Sequence, residues 1–139
     1  DFGGAVDDIW QKKNGDLIII DVKATSRNNF DWSETFNKYE YAKAYKRQLE
    51  MYQWLFKKNG FKVAKEAYLL YFIGKKNEEV FNNQLNFDVH LIRLDCSTSW
   101  VENKIIDTVK LLRSDIFPKP SLNCEYCNYL KKRWKLSIT

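Results

Sequence analysis

Leu17-Ile18-Ile19-Ile20-Asp21-Val22-Lys23 is an apolar run that ends in two opposite charges. It follows Asn14-Gly15 and the stretch Gly4-Ala5-Val6-Asp7-Asp8-Ile9-Trp10-Gln11-Lys12. Asn and Gly both accept positive φ, so Asn14-Gly15 predicts a hairpin turn joining a first strand over 4–12 to an antiparallel second strand over 17–23. Four consecutive apolar residues predict that the second strand is buried on both faces. Side chains alternate along a strand, which puts Ile19, Asp21 and Lys23 on one face. Taking an Asp and a Lys out of water costs free energy that an ion pair or a metal ion must offset. On the first strand, Val6, Asp8 and Trp10 share one face and Asp7 and Ile9 the other. Alternation alone leaves open which of Asp7 and Asp8 faces Asp21.

Outward from the hairpin, residues 24–37 are polar and aromatic and read as a loop. A long helix follows over 38–59, with Tyr41, Tyr45, Gln48, Leu49, Tyr52, Leu55 and Phe56 at helical spacing on one face. Lys57 and Lys58 suit its last turn and Gly60 its stop. Residues 66–74 read as a core strand, 75–86 as a polar connection, and 87–94 as another strand, in which Phe87, Val89 and Leu91 alternate with Asp88 and His90. Ser97 or Thr98 can cap a second helix that reaches Arg113, its buried side marked by Trp100, Ile105, Val109 and Leu112. Pro118 and Pro120 break the chain before a basic, Cys-bearing tail over 118–139. There is no internal repeat. The order hairpin, helix, strand, strand, helix predicts an α/β fold, a small mixed β-sheet flanked by helices in one domain over 1–139.

Composition agrees with one domain: 139 residues, 45% hydrophobic, with eight Tyr, nine Phe and five Trp available for a core or for stacking on bases. No apolar stretch approaches the roughly 18 residues that would span a bilayer, so no membrane partner is expected. A net charge of +5 and a pI near 9.0 favour a polyanionic partner, because Lys and Arg contacts to phosphate release counterions. Three Cys cannot all pair within the chain, which argues for a reducing, cytoplasmic compartment, with a nucleoid or viral replication setting compatible. The chain opens on Asp1-Phe2-Gly3-Gly4 without an initiator Met, so a fragment or excised domain of a larger parent protein is expected, with an oligomer as a separate expectation.

Asp7, Asp21 and Lys23 form the candidate chemical centre. Hard divalent cations such as Mg²⁺ take oxygen ligands, commonly one or two carboxylates with waters and substrate phosphate. Two Asp on adjacent strands can converge on one ion. Lys23, on the same face as Asp21, can reach an attacking water or a scissile phosphate. The competing reading is a surface hairpin with an ordinary Asp–Lys pair, because Asp-x-Lys is a short motif.

Gly4-Ala5-Val6-Asp7, then Ile19-Ile20-Asp21-Val22-Lys23-Ala24-Thr25, then Gln48-Leu49-Glu50-Met51-Tyr52 resemble the PD-(D/E)XK nuclease superfamily. Within it the likeness is to the RecB-like exonuclease branch, which includes the CRISPR-associated exonucleases. That branch carries a Gly-x-x-Asp strand, an Asp-x-Lys strand and a helical Gln-x-x-x-Tyr in this order. The resemblance implies a restriction-endonuclease-like fold and hydrolysis of DNA phosphodiester bonds with Mg²⁺ or Mn²⁺, in repair, recombination or phage and CRISPR-type defence. It implies Asp7 and Asp21 as metal ligands, the Val22 backbone carbonyl as a third, and Lys23 as the catalytic lysine. Gly-x-x-Asp spacing selects Asp7 over Asp8. Gln48 and Tyr52, at i and i+4, share a helix face and by resemblance line the site, holding DNA or the lysine. From the residues alone, Tyr52 as core and Gln48 as a boundary residue stay open.

Two features depart from the family pattern. Members often carry an acidic residue or a His on a helix ahead of the Gly-x-x-Asp strand, and nothing precedes Asp1, so a fragment lacking an N-terminal helix is the expectation. Cys124-Glu125-Tyr126-Cys127 is similar to part of the cysteine set of iron–sulfur RecB-like nucleases, which use four Cys. Cys96 is the only other thiol, so an iron–sulfur cluster is not expected. Zinc on three Cys and His90 has no supporting spacing. Free thiols in a packed tail and a structural or surface His90 are expected instead. Lys43, Lys46 and Arg47 near Gln48, and Lys131, Lys132 and Arg133 around Trp134, are candidates for tracking a DNA backbone. A catalytically inactive DNA-binding module on the same fold and a structural domain with surface acids are the rival readings.

Overall fold

A computed structural model describes residues 2–26, 30–77, 83–120 and 124–136. The hairpin turn closes as its residues require. Gly15 takes φ of 90°, Gly15 N donates to the Lys12 carbonyl at 2.9 Å, and Lys12 N donates to the Asp16 carbonyl at 2.9 Å. It joins β1 (Asp8–Gln11) to β2 (Leu17–Thr25), antiparallel, with Ile9 opposite Ile19 and Asp8 opposite Ile20. The ladder is shorter than the strand expected over 4–12. Residues ahead of Asp8 leave it, and Gly4 instead lies against the Tyr52 ring while Val6 packs on the core.

α1 (Trp32–Lys38) occupies part of the segment expected as a loop. Asp31 caps it, its Oδ1 accepting from Glu34 N at 2.7 Å, and Trp32 packs against the core. Cap and apolar anchor together compensate the ordering of a short, polar segment. α2 (Glu40–Lys58) carries the chain back to β3 (Glu66–Gly74), which pairs parallel to β2 with Asp21 opposite Leu69 and Lys23 opposite Tyr71. A parallel pair needs such a crossover. β4 (Phe87–Asp95) pairs antiparallel with β3 along its whole length, so the sheet runs β1-β2-β3-β4.

The core lies between α2 and one face of this sheet: Ile19, Leu49, Ala67, Leu69, Tyr71, Leu94 and Cys96. Ile18 and Ile20 point to the opposite face, where they join Ala64 against Tyr68 and Leu70. β2 is therefore buried on both sides, as its apolar run predicts. Two polar residues tie α2 to the segments just before β3 and just after β4. Buried Gln53 donates to the Ala64 carbonyl at 3.1 Å, and Glu50 accepts from Ser97 N at 3.0 Å and from Trp100 Nε1 at 2.7 Å.

The chain divides into two compact units, Asp1–Glu102 and Asn103–Thr139. α3 (Val101–Leu112) starts later than the capping signal suggests, and its buried residue is Val101. Val109 and Leu112 are exposed, against expectation, because spacing shows which residues share a helix face and not whether anything covers it. The basic segment expected as a tail contains a helix, α4 (Glu125–Leu136).

Candidate active site

The site sits where β2 runs past the end of β1. β1 begins at Asp8 opposite Ile20, so from Asp21 onward β2 has no strand on that edge. Asp7, the residue just before β1, fills the place with its side chain: Val22 N donates to Asp7 Oδ2 at 2.8 Å. In an extended strand the N–H and C=O of one residue point to the same edge, so the Val22 carbonyl also faces this open margin. Asp8 does something else. Its oxygens accept from Ile9 N at 2.8 Å and from Trp10 Nε1 at 2.9 Å, within its own strand. Geometry thus separates the two acids that alternation could not.

Asp21 is 2% exposed, at the end of the buried run. Lys23 Nζ lies 2.6 Å from Asp21 Oδ2. The ion pair takes up this buried oxygen from one side only, and no further hydrogen-bond donor reaches Oδ2. Burial raises the Asp21 carboxyl above its ordinary value. Lys23 opposes the rise through hydrogen bonding and charge, and Asp7, through charge and side-chain contact, adds to it. Asp7 acts on Asp21 only because the two carboxyls are neighbours.

Lys23 is held from α2. Its ammonium donates to Gln48 Oε1 at 3.4 Å and lies 4.5 Å from the centre of the Tyr45 ring. Gln48 Nε2 in turn donates to Tyr52 Oη at 3.0 Å. Tyr52 backs onto Gly4, where an added Cβ would come 2.6 Å from its ring. The three motifs therefore close into one chain of contacts, running Gly4, Tyr52, Gln48, Lys23, Asp21, Asp7. Helical spacing marks Tyr45 only as part of a helix face. Its position three residues before Gln48 is the signal that places it beside the lysine. Tyr71, opposite Lys23 on β3, carried no such signal.

Other expected residues lie elsewhere. Lys43 is paired with Glu40 at 2.7 Å, and Lys46 and Arg47 follow it on α2. Lys131, Lys132 and Arg133 are on α4, in the second unit. His90 is exposed on β4, its ring 5.8 Å from that of Phe30. Cys96 is buried, and burial pushes its thiol up to about 11. The Cys127 thiol, and after it the Cys127 N–H that donates to Cys124 Sγ at 3.3 Å, lower the Cys124 thiol below its ordinary value.

The oxygens of Asp7, Asp21 and the Val22 carbonyl fit a hard divalent cation, and buried Asp21 Oδ2, which has only the Lys23 ammonium against it, has acceptor capacity left for one. Among the described residues no three His, Cys, Asp or Glu side chains are gathered. An ion here would complete its shell with water and phosphate, as Mg²⁺ prefers.

A mixed four-stranded sheet with helices packed on it has the α/β architecture of a restriction-endonuclease-like fold. The family model of the PD-(D/E)XK nuclease superfamily matches residues 1–131, and the chain belongs to that superfamily. Its members are typically nucleases that use divalent metals such as Mg²⁺ and act on nucleic acid. No curated protein and no solved structure matches the chain. Among the described residues no helix is long and apolar enough to cross a membrane.

Proposed function

We propose that this chain is a Mg²⁺- or Mn²⁺-dependent deoxyribonuclease of the RecB-like exonuclease branch. One observation carries the reading: the Asp7 carboxylate reaches the Val22 amide beside Asp21, while Gln48 of the Gln-x-x-x-Tyr helix holds Lys23. The order Gly-x-x-Asp, Asp-x-Lys, Gln-x-x-x-Tyr supports the branch, since each motif has a contact that uses the next.

Asp7, Asp21 and the Val22 carbonyl would hold the divalent ion, which when bound supplies a Lewis acid for the phosphoryl oxygen and lowers the pKa of water. Lys23 neutralises charge developing on the phosphate and orients the attacking water. Its ammonium, held between Gln48 and the Tyr45 ring, can exchange Asp21 for the phosphate, and the ring face offsets part of the lost hydration. Tyr52 fixes Gln48 from behind. Exposed Asp7 and Val22 mark the side from which the backbone of the substrate enters.

The test is cleavage of labelled DNA and matched RNA with Mg²⁺, Mn²⁺ or EDTA. DNA is expected to be cut from its ends, with metal, and Asp21→Ala and Lys23→Ala each to lower the rate at least about 100-fold. Cleavage indifferent to both substitutions would overturn the assignment. Salt-sensitive DNA binding with neither cleavage nor carboxylate-dependent Mn²⁺ binding would identify an inactive DNA-binding module instead.

A further inference from the structure

Just past Lys23, β2 continues into two small residues, Ala24 and Thr25. Their size leaves room for a cleft of about 200 Å³ walled by Phe30, Tyr41, Tyr45 and Tyr71. Tyr71 comes from β3, directly opposite Lys23, and is 3% exposed. Tyr41 and Tyr45 come from α2, their ring centres 5.6 Å apart, and the Phe30 ring stands 4.7 Å from that of Tyr71 at an interplanar angle of 35°. The Tyr45 ring is shared: it is a wall of the cleft and it carries the Lys23 ammonium. Tyr41 is 43% exposed, more than a residue serving only as core would be.

We propose that this cleft is a subsite for one unpaired nucleobase, so that the substrate is single-stranded DNA or an unpaired end; the proposal rests on the deoxyribonuclease reading above. The chemistry on the walls selects that occupant. Aromatic faces stack on any base, giving affinity without sequence preference. The cleft is smaller than the roughly 300–1,000 Å³ of sites for drug-sized ligands, which suits a single planar base. Tyr71 lines the cleft, and a tyrosine hydroxyl can both donate to and accept from a base edge. Lys23 beside Tyr45 places the phosphate of that nucleotide at the acidic pair. Bases inside a duplex are stacked and turned inward, so a duplex can reach the cleft only by unpairing.

The proposal is tested by binding of the full chain, in EDTA, to a single-stranded oligonucleotide, to the blunt duplex of the same sequence, and to an abasic oligomer of the same length. The single strand is expected to bind more tightly than the duplex. Tyr41→Ala should weaken single-strand binding roughly 5- to 50-fold, Tyr41→Phe should restore it, and neither should change binding of the abasic oligomer. Phe30→Leu, read beside a melting curve, supplies a second variant and should act in the same direction. An unchanged affinity in folded Tyr41→Ala, an equal loss on the abasic oligomer, or tighter binding to duplex would each overturn the base subsite. The deoxyribonuclease reading is scored separately by cleavage in Mg²⁺ or Mn²⁺ and its loss in Asp21→Ala. Ring-dependent binding without cleavage sinks that reading alone, and Asp21-dependent cleavage that ignores the rings sinks the subsite alone.

Discussion

Gly4 shows how one missing side chain can serve a site made by others. A Cβ at this position would press on the Tyr52 ring at 2.6 Å, and Tyr52 holds Gln48, which holds Lys23. Gly4→Ala should therefore slow cleavage through a displaced lysine. The overpacking should also cost about 1–3 kcal/mol of stability. Urea unfolding and a cleavage rate on the same preparation check both. Cys96 makes a different residue-level case. Its thiol is pushed from 9.0 to about 11, by burial first and then by Glu50. A raised acid keeps its proton in the fold, so its contribution is intact below pH 9 and is lost as pH rises from 9 through 11. Two pH units correspond to on the order of 3 kcal/mol. The urea midpoint should fall across that window, and Cys96→Ala should flatten part of the fall. Tyr71, raised to about 12, should keep the remainder.

Among the elements, α2 carries the most information. Its apolar spacing marks it as a helix on the sheet, and Leu49 is fully buried as that spacing predicts. The same spacing is blind to Glu50 and Gln53, which are only 6% and 0% exposed because each finds backbone or indole partners from outside the helix. Glu50→Ala would leave Ser97 N and Trp100 Nε1 without their acceptor, at a cost on the order of 3 kcal/mol. Thermal unfolding should show that loss, while cleavage well below the midpoint should remain, since Glu50 is outside the chain of contacts around Lys23. α1 was legible in principle. Asp31 and Glu34 stand at capping spacing before an aromatic anchor, but polar composition outweighed that local signal.

For the molecule as a whole, charge is the property to test. If Lys131, Lys132 and Arg133 on α4 contact phosphates, replacing all three by Gln should reduce the slope of log K against log salt by about 2 for single-stranded DNA. Affinity measured from low to high salt reads that slope directly, and an unchanged slope would remove α4 from the interface. The mixed α/β class and the hairpin were readable along the chain, and the motifs that single out Asp7, Asp21, Lys23, Gln48 and Tyr52 are short local patterns within it. Turn chemistry, two-residue alternation and helical spacing are all properties of neighbours in sequence. The choice of Asp7 over Asp8 by geometry, the cation–ring contact of Lys23 with Tyr45, and the cleft in front of Tyr71 were not. They depend on where β1 stops against β2, on the β2–β3 register that sets Lys23 opposite Tyr71, and on how α2 lies across both. Those are distances between residues remote in the chain, and local pattern carries no measure of them.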